Sequence, residues 1–276
     1  MQSYKPTRFY YLRADASALG GRLQTPVEKF VPTVAPVSLP ATGGFSLARS
    51  DGFTLDEIVS CSSAYCRVTS EEHPNDGTTT ILVTAVVENL NILEVFSAAR
   101  IVSQLTISVP IEGLIGVSAV GSTFEGLQIA GFPCKPTLNT DLQQPARTPE
   151  GRSRSLAWSD VFQAGRTQAQ ALLNSFQGRN ESDVNAWAQR RHGWMTSAPG
   201  ASGNATCSLV DGLETDAPVR CHGHIVEIPH FGRITLGELI VGKHYAQLIG
   251  VRADLGCAVH GGITACAGGG GPTGDN

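Results

Sequence analysis

From Thr78 to Cys134 the chain is apolar and β-branched, broken mainly by Gly and Pro. The clearest run sets Ile101, Ser103, Leu105, Ile107 and Val109 against Val102, Gln104, Thr106 and Ser108, and Pro110 stops it. A period of two sends successive side chains to opposite faces, so this run predicts a strand buried on one side. Ile81 to Val87 is more uniformly apolar and predicts a central strand covered on both faces. Gly113, Gly116, Gly121, Gly126 and Gly131 then punctuate the text as turns, bulges or strong curvature require.

The same period appears near the N-terminus. Tyr10, Leu12, Ala14, Ala16 and Ala18 alternate with Phe9, Tyr11, Arg13, Asp15 and Ser17, which predicts a strand ended by Gly20-Gly21. Prolines from Pro26 to Pro40 forbid helix and predict an extended segment. Phe53 to Val68 predicts another strand around a short turn. At Pro145 the period changes. Trp158, Val161, Phe162, Gly165, Ala169, Leu172 and Phe176 recur mostly at three and four residues, the spacing of an amphipathic helix that ends near Gly178. A shorter helix carrying Val184, Trp187 and Ala188 follows, with Gly193 after it, and 200–223 reads as irregular or hairpin.

The period of two returns at the end. Tyr245, Ile249, Val251, Ala253, Leu255 and Cys257 share a face, with Gln247 the exception, while Arg252 and Asp254 point away. The tail AGGGGPTGDN, residues 267–276, has little apolar surface and is expected to be disordered. The expected architecture is one mainly β domain over 1–276, an antiparallel β sandwich or barrel, with a helical insertion at 155–193.

Composition agrees with this and narrows the chemistry. Only 16% of residues are charged, as expected where strands set a buried face against Ser and Thr, and the 31 Gly suit a chain with many turns. The net charge is −4 and Arg190-Arg191 is the longest basic run, which argues against nucleic-acid binding. No apolar stretch approaches the ~20 residues of a membrane-spanning helix. Arg13 and Asp15 interrupt the place where a secretory signal needs its apolar core, so a cytoplasmic location is expected. The odd count of seven cysteines leaves at least one thiol unpaired, and reduced, mostly buried thiols are expected.

Few motifs carry chemistry. Gly237 to His244 nearly spells a phosphate-binding loop, but His244 replaces the hydroxyl that would hold Mg²⁺, and Leu239-Ile240-Val241 reads as strand. Cys221, His222 and His224 are the most concentrated potential metal ligands. On a strand the two histidines share a face, where they either chelate with a third ligand or simply lie solvated at a strand edge. No metal or other cofactor is expected, and these three residues are the candidates should one bind. There is no G-x-S-x-G elbow and no H-E-x-x-H helix. Glu88, Glu94 and Glu125 lie within the β-rich text and would gain chemical interest if buried, while Arg100 and Lys135 are isolated cations beside apolar strands.

Two phrases, LNILEVFSAARIVSQLTISV (Leu90 to Val109) and VEIPHFGRITLGELIVG (Val226 to Gly242), resemble a loosely defined group of uncharacterised bacterial β-rich proteins. They are also similar to the peptide-binding accessory proteins of crocagin-type ribosomal peptide (RiPP) biosynthesis. The resemblance implies a peptide or small-molecule ligand, and with it a partner enzyme. The first expectation is therefore a non-enzymatic binding protein that holds an extended peptide, an accessory protein of natural-product biosynthesis. The alternatives are a cofactor-free or metal-assisted cyclase-like enzyme in a β-barrel cavity, and a structural or filament subunit.

Overall fold

A computed structural model describes residues 11–273, apart from 26–27, 41, 75–76, 111–112, 144–145, 148–152, 177–181, 198–203 and 257–258. Two large antiparallel sheets form a sandwich, and neither closes into a barrel. The first sheet runs in the order Arg220–His222, Ile225–Ile228, Gly232–Val241, Ala246–Gly256, His260–Thr273, Tyr11–Thr25 and Lys29–Val34. The second is built around the long hairpin Thr78–Ile92 and Phe96–Pro110, with Ser63–His73 beside the first strand of the hairpin and Phe45–Ser50 beyond it. Buried residues of both sheets form one continuous core.

The alternation holds where it was clearest. Ile101, Leu105, Ile107 and Val109 are buried while Gln104, Thr106 and Ser108 are only half-buried. Ile81 to Val87 is central in its sheet, yet Leu82 and Thr84 remain half-buried, so only Ala85, Val86 and Val87 are buried in succession. Gly121, Gly126 and Gly131 occupy the left-handed region at φ 95°, 60° and 81°, where turns need them. The strand Tyr11–Thr25 continues through Gly20-Gly21 instead of ending there, because both sides remain paired: Gly21 faces Val31 on one neighbour and Ile263 on the other.

The tail is the main correction. Residues 267–273 are not disordered but belong to the strand His260–Thr273, hydrogen-bonded to Tyr11–Thr25 on one side and Ala246–Gly256 on the other; 274–276 lie outside the described residues. A strand paired on both edges is held by its backbone, so it needs little apolar surface of its own. Close approach makes glycine necessary. A Cβ on Gly268 would lie 2.5 Å from Val83 Cγ1 of the facing sheet, and one on Gly269 would lie 2.4 Å from the Ala246 carbonyl oxygen.

The helical insertion is Trp158–Phe176 and Ser182–Ser197, and Gly193 lies inside the second helix rather than after it. The first helix buries Trp158, Val161, Phe162, Gly165, Ala169, Leu172 and Phe176, the predicted stripe. Gly165 lets it lie directly on the strand Ala205–Ser208, since a Cβ there would sit 2.2 Å from the Thr206 carbonyl oxygen. Gln168 locks the contact: its amide donates to the Ser208 carbonyl (2.8 Å), and the Ser208 N–H donates to its side-chain oxygen (2.7 Å).

Candidate functional site

Beneath the second long helix, the outer face of the first sheet carries charge where an apolar contact would be simpler. Glu238, in the middle of Gly232–Val241, is only 3% exposed. Arg252 of the adjacent strand donates to one carboxylate oxygen through Nε (3.1 Å) and Nη2, and Arg191 of the helix donates to the other. Burial alone would raise the carboxyl, but the two guanidiniums outweigh it and hold it below the usual carboxylate range. His192, 5% exposed, lies edge-on to His224, with ring centroids 5.9 Å apart. Burial first, then the Arg191 charge, lowers His192 to about 4 against the opposing pull of Glu238. His224 falls to about 3, chiefly through burial, with the His192 ring and Arg191 adding to it and Glu238 opposing.

The predicted trio is not brought together as one ligand set. Gly223 turns at φ 58° between His222 and His224, breaking the strand periodicity that would have put them on one face. Both histidines are buried, not solvated at an edge, whereas Cys221 is exposed. Among the described residues no cluster of His, Cys, Asp or Glu has the geometry to hold a metal ion. Of the cysteines, Cys61, Cys66, Cys134, Cys207 and Cys266 are free and buried as expected, and Cys257 lies outside the described residues. Glu88 and Glu125 are surface carboxylates flanking Arg100, at 3.7 and 3.9 Å. Gly237 to Val241 is strand, as Leu239-Ile240-Val241 suggested against the near-match to a phosphate loop.

Among the described residues, His222 makes the arrangement that most resembles a catalytic one. Its Nδ1 lies 2.9 Å from Ser175 Oγ, and its Nε2 lies 3.7 Å from Glu227. A serine hydroxyl has one proton, and the Leu172 carbonyl 2.7 Å away takes it in the usual manner of a helix-end serine. With the Ser175 proton directed to Leu172, Oγ is left to accept from Nδ1–H of His222, the reverse of what arming a nucleophile requires. The ring packs at a tilt against Phe176 (centroids 4.1 Å), and Glu227 accepts a hydrogen bond from Arg233 (3.0 Å), whose guanidinium covers Trp187. These contacts fasten both helices to the sheet. Sequence reasoning missed Glu238, Arg191 and His192. The available signal was a carboxylate in the apolar text Leu236-Gly-Glu-Leu-Ile, which a buried strand tolerates only with a cationic partner.

The exposed backbone lies elsewhere. Phe45–Ser50 pairs with Ser63–His73 along one edge, and among the described residues no strand pairs with its other edge. Phe45 and Leu47 project from it side by side at 57% and 55% exposure, with the Arg67 guanidinium over the Phe45 ring.

A family model described as a domain of unknown function, DUF8256, matches residues 9–242. Comparison with curated proteins and with solved structures returned no match.

Proposed function

For this chain, which belongs to the DUF8256 family, we propose a non-enzymatic role: it holds an extended peptide that adds as a further strand along Phe45–Ser50. The observation that carries this reading is the unguarded edge. Natural sheets shield an edge strand with lysine, proline, a bulge or a covering loop, because its free amides and carbonyls pair with any extended chain. Phe45–Ser50 has no proline or lysine, its one charge, Arg49, is paired with Asp51 (3.2 Å), and it adds alternate Phe45 and Leu47 to its backbone groups. A peptide in this register satisfies those groups by β-augmentation and lays its own alternate apolar side chains against Phe45 and Leu47.

The buried ionisable groups support binding over turnover, since the Glu238 carboxylate is neutralised by Arg191 and Arg252 beneath a helix. The similarity of the two strand phrases to peptide-binding accessory proteins is consistent with the same reading.

The test uses fluorescein-labelled extended peptides with apolar residues at alternate positions, titrated by anisotropy. Saturable binding is expected, lost in Leu47→Lys and lost when alternate peptide amides are N-methylated. Equal affinity for the N-methylated peptide overturns the proposal. So does sedimentation showing a dimer that Leu47→Lys dissociates, because the edge is then occupied by a second copy.

A further inference from the structure

The Gly-rich C-terminal strand builds a second surface. Its outward positions Gly269 and Gly271 present no side chain, while the strands on either side do. Gly269 is the register partner of Asp15 on one side and Gln247 on the other, and Gly271 is the partner of Arg13. The result is a trough with a floor of glycine backbone and walls two strand spacings apart, about 10 Å. Its volume is about 530 Å³, within the range of small-molecule sites. Tyr245 forms part of one wall at 41% exposure, and Ser17 and Ser38 add hydroxyls on the other.

The chemistry of the walls selects a ligand class. Peptide cannot add along this floor, because up to Gly270 the backbone of the floor strand is committed to neighbours on both edges, and Gly271 is paired with Arg13. Arg13 is paired with Asp15 (Nε to Oδ1, 3.3 Å), so the trough offers no net charge to an anion or a cation. It does offer closely spaced donors and acceptors of both kinds from Arg13, Asp15, Gln247 and the serines, beside one exposed aromatic ring. A neutral polyhydroxylated ring matches this set: its hydroxyls both donate and accept, and its C–H face stacks on a tyrosine. We infer that the trough of Arg13, Asp15, Tyr245 and Gln247 is a binding site for a neutral saccharide, separate from the Phe45–Ser50 edge. Tyr245, Gln247 and the glycine floor all lie outside the residues matched by the family model.

The test titrates the full chain with maltotriose, cellotriose and chitotriose by calorimetry, with trigalacturonate as the charged control. Saturable binding of at least one neutral trisaccharide is expected. Tyr245→Ala should weaken it by about tenfold or more, the loss of one stacking surface. Because Tyr245 and Gln247 lie at the surface, Gln247→Ala serves as a second variant, and an unchanged melting temperature shows that both fold. Leu47→Lys should leave saccharide affinity unchanged, which separates this site from the peptide edge. The inference is overturned if none of the neutral trisaccharides binds, if trigalacturonate binds in preference, or if both trough variants bind as tightly as the parent.

Discussion

Lowering the pH from 7 to 5 should destabilise this protein by about 4 kcal/mol, through two buried histidines alone. His192 and His224 titrate ordinarily near 6.5, but in the folded chain they are held down to about 4 and about 3. Between 6.5 and 5 the unfolded chain therefore takes up a proton at each site that the folded chain refuses. More protons bound in the unfolded state means that stability falls as pH falls. The stabilisation is fully present above 6.5 and is lost on the way down, completely only below the folded values. At pH 5 each site has lost 1.5 pH units at about 1.36 kcal/mol per unit, or about 2 kcal/mol. This figure does not depend on the folded values as long as both stay below 5.

Urea unfolding at pH 7 and pH 5 measures the difference, and the placement of the probes makes it informative. All three tryptophans, Trp158, Trp187 and Trp194, lie in the two long helices, so their fluorescence follows the insertion while far-ultraviolet circular dichroism follows the sheets. The loss should appear in the fluorescence transition, and replacing both histidines by Asn should flatten the pH dependence whatever its effect on absolute stability. Equal unfolding free energies at pH 7 and pH 5 in the parent, or a dependence that survives the double replacement, would refute the reasoning.

The remaining predictions concern the same framework. Glu238→Gln leaves Arg191 and Arg252 facing each other without their anion and should cost about 3 kcal/mol, seen as a fall of several degrees in melting temperature; replacing all three by apolar residues should recover much of it. Gly268→Ala pushes a methyl toward Val83 and should cost about 1–3 kcal/mol, with Val83→Ala in the same chain restoring part of the loss, as a double-mutant cycle of chemical unfolding will show. Ending the chain after Gly256 removes the strand between Tyr11–Thr25 and Ala246–Gly256, so the truncated protein should be insoluble or rapidly degraded by trypsin, whereas a dispensable tail would leave both properties unchanged.

Periodicity in the sequence was enough to place several of the long strands and both long helices, because a buried face forces a period on the chain whatever it packs against. Ile101 to Val109 and the stripe from Trp158 to Phe176 are legible for that reason. It misled where order comes from the backbone instead. Residues 267–273 read as disordered because hydrophobicity was the only ordering force visible in them, while their real anchors are hydrogen bonds to partners at Arg13 and Ala246. Gly20-Gly21 read as a stop for the same reason.

The candidate sites divide along the same line. His222 and His224 stood out as residue types, but whether they share a face depended on the turn at Gly223. Arg191, Glu238 and Arg252 are far apart in the chain and form a unit only because a helix crosses two adjacent strands. Alone, the sequence determined the class of fold, the register of apolar faces and a surface with little catalytic text. Only tertiary structure decided which edge stays open at Phe45–Ser50, which charges are buried together, and that Gly269 and Gly271 make a floor. Periodicity is written by the local contrast between water and core, whereas edges, ion pairs and troughs are made by residues that meet only when distant segments pack.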